Sequence, residues 1–174
     1  MTALPSPETL FAELAPEVLA AVPPADTGRA STALRALTAD WLREAAATDA
    51  ATGHRVLQIL TTDMERQLAA RPPAEKTAWI EAVLLQRQVD AVAARTFALG
   101  REILDKAVGD DEARARGAAL LAEVEALAPR VRAVTDPTLR APLDQALQDA
   151  LMEALFAVER KGMSLRLSRV APAR

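Results

Sequence analysis

His54 is the only histidine in the chain, and it stands where a helix would begin, in the stretch Thr52-Gly53-His54-Arg55-Val56. A histidine so placed could carry a phosphoryl group or act as a general base, because its charge changes near neutral pH. The next residues, Arg55-Val56-Leu57-Gln58, lack the lysine and glycine expected after a phosphocarrier histidine in a helical bundle. A carboxylate-bridged metal bundle would need a glutamate three residues before the histidine, and that position is Ala51. His54 is therefore expected to be a solvated residue in the first turn of a helix.

The carboxylates give no better start. Asp110-Asp111-Glu112 directly follows Gly109, and acids in that position complement the unpaired amides and the dipole of a helix start more readily than they bind magnesium. Glu13 with Glu17 and Glu123 with Glu125 have no partner set on a second helix and read as solvated. The chain has no cysteine, which excludes a thiolate site, a disulfide framework and a cysteine nucleophile. Phosphate-cradling glycine loops, dinucleotide fingerprints, zinc-protease patterns and nucleophile elbows are absent. Ser31, Ser164 and Ser168 stand in no recognisable nucleophilic setting. The expectation is a protein that binds rather than catalyses, without a catalytic residue, cofactor or metal.

Positive charge is the remaining chemistry. Arg130, Arg132 and Arg140 flank the elbow between Pro129 and Pro137 and form a candidate polyanion-binding group. Beyond Glu159 there is no acid, while Arg160, Lys161, Arg166, Arg169 and Arg174 are all basic. There Met163, Leu165 and Leu167 alternate with polar residues, the period of an extended chain. Residues 163–174 are accordingly expected to form a short extended basic arm, with Leu165, Arg166, Leu167 and Arg169 as candidate partner-binding residues. The net charge of −3 makes the body acidic against this end, which disfavours a general nucleic-acid surface. Arginine outnumbers lysine so heavily, in so alanine-rich a chain, that GC-rich codon usage explains it better than selection for phosphate binding.

The elements that must position these residues are helical. Aromatic residues make up 3% of the chain and tyrosine is missing, so the core must be Leu, Val, Ile and Ala, which suits closely packed helices better than sheets. Ser6-Pro7-Glu8 reads as a cap, a first-turn proline and an acid, and Leu10, Phe11, Leu14, Val18 and Val22 continue at helical spacing. Pro16 should kink this helix. A second helix is expected over 27–47, with Leu34, Leu37 and Trp41 on one face, and a third carrying Val56, Ile59, Leu60, Met64 and Leu68.

The longest helix is expected over 74–108. Ala78, Ala82, Leu85, Val89, Val92, Thr96, Leu99 and Ile103 alternate by four and three, the seam of helices packed at shallow angles. A second row with Trp79, Val83, Ala93, Phe97, Leu104 and Val108 would place this helix at the centre of the bundle. Gly100 inside it would permit either close approach or a bend, Glu102 and Lys106 have the spacing of a same-helix pair, and Gly109 would end it. Leu120, Val124, Leu127, Val131 and Val134 mark the next helix, which Pro129 should kink. Asp136-Pro137 starts the last, with Leu143, Leu147, Ala150, Leu151, Ala154 and Val158, and Gly162 should close it.

These patterns predict an all-α bundle of about five to six helices, residues 1–162 as one domain with the arm appended. No basic, apolar leader and no run approaching the roughly 18 apolar residues of a membrane span is present, so a soluble cytoplasmic protein is expected. With no catalytic constellation, the leading function is a protein-protein interaction module: a scaffold, an adaptor or a small subunit of a larger assembly, acting on a protein partner or on itself. A nucleic-acid-associated subunit using the arginines and a bundle holding a small apolar ligand are the alternatives.

Overall fold

The computed structural model describes the backbone of residues 3–170 and the side chains of residues 3–159. Among the described residues there are six α-helices and no strand: α1 (Pro7–Ala20), α2 (Thr27–Ala46), α3 (Ala50–Ala69), α4 (Pro73–Leu104), α5 (Asp110–Arg132) and α6 (Pro137–Val170), with a 3₁₀ turn at Pro24–Asp26 before α2. No helix among them is long and apolar enough to cross a membrane.

Local chemistry sets the starts. The Ser6 hydroxyl accepts the Thr9 amide at 3.1 Å, with Pro7 in the first turn, where a missing N–H costs nothing. Asp49 accepts the Ala51 and Thr52 amides, each at 3.1 Å. The Thr52 hydroxyl and these amides hold the Asp49 carboxyl below the usual carboxylate range. Asp136 accepts the Thr138 amide at 2.8 Å and so opens α6 at Pro137. Pro16 and Pro129 lie inside α1 and α5, which run on through them. Both prolines are on exposed faces, where solvent access lowers the cost of the helix bond a proline cannot make.

The end of α4 differs from expectation. The helix stops at Leu104, and the residue in the left-handed region is Lys106, with φ 56°. Its amide donates to Ile103 O at 3.1 Å, and the Ala107 amide donates to Glu102 O at 2.8 Å. These are the paired bonds of a Schellman ending, with lysine where glycine is usual. Gly109 instead caps α5 in an extended conformation. Replacing Lys106 with glycine removes the side-chain clash of the left-handed backbone and is expected to stabilise the protein by about 1 kcal/mol, read as a higher urea midpoint. A lower midpoint would show that Lys106 is held by something stronger than the turn.

The chain forms two compact units, Met1–Leu84 and Leu85–Arg174, with α4 giving its beginning to the first and its remainder to the second. In the first unit α2 packs against both α1 and α3. Leu10, Leu14 and Val18 from α1, Leu34, Leu37 and Trp41 from α2, Leu57, Met64 and Leu68 from α3, and Ile80 are buried there. The buried row of α3 runs through Gly53, Leu57, Met64 and Leu68, which leaves Ile59 67% exposed rather than in the core. An Arg29 fork onto Glu81 ties α2 to α4, with Nε at 3.0 Å from Oε1.

In the second unit α5 packs on α6. The expected seam of α4 is buried from Leu85 through Val89, Val92, Thr96, Leu99 and Ile103, while Ala78, at its other end, is exposed. Leu85, Val89 and Val92 share a cluster with Val124, Leu127, Val131, Leu143 and Leu147. Leu99 and Ile103 share another with Ala113, Leu120, Ala154 and Ala157.

The last helix overturns two expectations. It continues through Gly162 to Val170, so residues 163–169 are helical and not extended, and at 34 residues it exceeds the 32 of α4. One glycine inside a helix costs only about 1 kcal/mol against alanine. Met, Leu and Arg, which dominate the segment after it, are good helix formers, and three alternating apolar residues are too few to outweigh them.

Candidate functional site

The turn between α5 and α6 brings the three arginines of the expected polyanion group to one end of the second unit: Arg130 and Arg132 in the last turn of α5, Arg140 in the first turn of α6. Arg130 donates to Gln88 Oε1 at 2.6 Å, and Arg140 Nε lies 3.3 Å from Asp144 Oδ2. Arg132 is exposed. Arginines ending α5 also complement the negative end of its dipole. Two of the three guanidinium groups thus have partners within the fold.

Other arginines are engaged in the same way. Arg95 forks onto Glu123 at 3.0 and 2.6 Å, joining α4 to α5. Arg116 forks onto Glu102 at 2.6 and 3.1 Å. The hydrogen-bonded guanidinium holds the Glu102 carboxyl below its usual range, and the same bonds raise Arg116. Glu102 therefore pairs across helices rather than with Lys106 four residues on. These half-exposed forks fix helix register more than they add stability, and they set Arg95 and Arg116 each against an acid.

The chemistry-bearing residues do not converge. His54 is half-buried in the second turn of α3. Among the described residues no three histidine, cysteine or acidic side chains are grouped to hold a metal. Asp110, Asp111 and Glu112 occupy the first turn of α5, as a helix start favours. The buried Thr38 and Thr96 hydroxyls donate to their own helices, at Arg35 O (3.0 Å) and Ala93 O (2.8 Å). The Thr77 hydroxyl is buried with no hydrogen-bond partner among the described residues. The side chains of Leu165, Arg166, Leu167 and Arg169 lie outside the described residues.

The second unit presents an apolar surface instead. Phe97 is 42% exposed, Leu104 72% and Met152 66%. Phe97, Gly100 and Leu104 follow one stripe of α4, spaced three and four apart. A Cβ built on Gly100 would stand 2.6 Å from the carboxylate of Glu153, the residue after Met152. The α6 turn carrying Met152 therefore runs beside that stripe. Helical spacing alone assigns Phe97 and Leu104 to a second core row of α4, and the structure corrects this. Periodicity identifies an apolar face but not what covers it, and only the row's buried members, Trp79, Ala93 and Val108, behave as core. Compared with protein-family models, curated proteins and solved structures, the chain matches none of them.

Proposed function

We propose that the chain is a non-enzymatic helical interaction module, a scaffold or small subunit that docks a protein through the α4–α6 face of its second unit. The observation that carries this reading is the exposure of Phe97, Leu104 and Met152 on helices whose opposite faces are already buried in the core. Water-exposed leucine and phenylalanine set along one stripe gain free energy when covered, at roughly 25 cal/mol per Å² of apolar surface removed from water. The acid-free segment after Glu159, with Leu165, Arg166, Leu167 and Arg169, is a second contact in this proposal, its arginines meeting acidic groups of the partner. The polyanion alternative is weaker, because Arg130 and Arg140 are already engaged with Gln88 and Asp144.

The experiment is a mass measurement in solution, at several concentrations, of the protein purified from its own cells under mild salt. Either a concentration-dependent dimer or a stoichiometric protein companion is expected, and Phe97→Glu with Leu104→Glu should abolish it while the helical circular dichroism persists. A wild-type monomer without a companion rules the reading out, as does association that survives the double variant.

A further inference from the structure

The exposed side of α4 in the second unit is complementary to itself. Asp90, Ala94, Phe97, Arg101 and Leu104 follow one another by four and three residues, and all five are exposed. They form a second seam on the side of the helix away from Leu85, Val89, Val92, Leu99 and Ile103, which are buried. The charges stand at either end of its apolar middle. Asp90, whose Oδ1 accepts the Gln86 side-chain amide at 2.8 Å, lies toward the N-terminus, and Arg101 lies toward the C-terminus. Eleven residues, about 16 Å of helix, keep the two from meeting within one chain. We propose, resting on the docking reading above, that the protein covering this face is a second copy of the chain. The copies lie antiparallel along α4, with the twofold axis at the level of Arg95 and Thr96.

The spacing sets this register. About that axis Asp90 faces Arg101 of the partner subunit, and Ala94 faces the partner's Phe97, its methyl group leaving room for the ring. Leu104 falls against the partner's Ala91 and the stem of the partner's Arg87. Twofold symmetry makes each contact twice. A parallel pair would instead set Asp90 on Asp90 and Arg101 on Arg101. Sliding the antiparallel pair by one layer either way takes Asp90 off Arg101 and puts Phe97 against an arginine. The contact, about 25 Å long and flanked by the exposed Met152, is at the small end of protein interfaces. The dimer is therefore expected to dissociate on dilution.

The test is analytical ultracentrifugation of the full chain over a range of concentrations. The parent protein should show a monomer–dimer equilibrium. Asp90→Arg alone and Arg101→Asp alone should each weaken it by about tenfold or more, because each variant sets two like-charge contacts across the axis. An equimolar mixture of the two should regain the parent affinity to within about threefold, since the mixed dimer carries two opposite-charge contacts. Misfolding of either variant would not give that recovery. A parent protein that stays monomeric, single variants that associate as well as the parent, or a mixture no stronger than its components would overturn the inference. Phe97→Glu with Leu104→Glu separates this from the reading beneath it. If that variant blocks an association that the charge variants leave untouched, the face docks a protein in another way and the antiparallel register alone falls.

Discussion

Leu99→Ala should destabilise the protein by about 2–5 kcal/mol. Leu99 is 1% exposed, and the residues around it include Ala113, Ala154 and Ala157. Alanine side chains have no rotamers with which to move into a vacated space, so the cavity left by the leucine stays open. That places the cost toward the upper part of the range, since the penalty rises by roughly 24 cal/mol for each Å³ left unfilled. Against a total stability of about 5–15 kcal/mol for a typical domain, the loss is large enough to move the thermal midpoint by about 10 °C. Leu104→Ala, five residues on in the same helix, is the control. Leu104 is 72% exposed, and its truncation should change stability by no more than about 0.5 kcal/mol. Urea denaturation of the two variants beside the parent protein decides the matter. Equal losses at Leu99 and Leu104 would mean that the seam of α4 has been assigned to the wrong face.

The contrast between those two leucines also marks what the sequence could convey. The four-three spacing from Leu85 to Ile103 was legible because burial on a helix follows the 3.6-residue turn, and each of those positions meets a core. Ser6 and Asp136 were legible as caps because their chemistry is local. Non-local chemistry was not. Glu102 has Lys106 at the spacing of a same-helix pair, yet its partner is Arg116, reached only after the chain turns into α5. A forked guanidinium makes two bonds to a carboxylate where an ammonium offers a point charge. Glu13 and Glu17 read as solvated acids along the chain, and only the packing of α1, α3 and α4 puts Glu65 and Lys76 beside them. The ending of α4 failed for a different reason. Gly109 is the residue type that usually takes a left-handed backbone, but the bonds from Lys106 and Ala107 close the helix before the chain reaches it.

Three identical glycine-to-alanine substitutions are expected to differ in sign. Gly53, Gly100 and Gly117 all lie inside helices, where alanine by itself is favoured by about 1 kcal/mol. The neighbour that the new methyl group meets decides the rest. At Gly117 the Cβ would stand 2.8 Å from the Ala157 methyl and 3.3 Å from the Ala154 carbonyl oxygen. Neither can swing aside, so α5 and α6 must separate along the contact that joins them. At Gly53 it would stand 2.6 Å from the backbone oxygen of Ala45, forcing α3 away from α2. Overpacking of this kind costs about 1–3 kcal/mol, so Gly53→Ala and Gly117→Ala should each be net destabilising, with Gly53 the more severe because its obstacle is backbone. At Gly100 the nearest atom is Oε2 of Glu153, 2.6 Å away at the end of a flexible side chain. That carboxylate can rotate toward solvent, and Gly100→Ala should stabilise the protein by up to about 1 kcal/mol. Urea midpoints for the three variants test the set. Stabilisation at Gly117 or Gly53 would show that those helices do not need glycine to approach. A loss at Gly100 as large as the other two would show that Glu153 is fixed in place over α4, and that the stripe between Phe97 and Leu104 is more tightly held than its exposure implies.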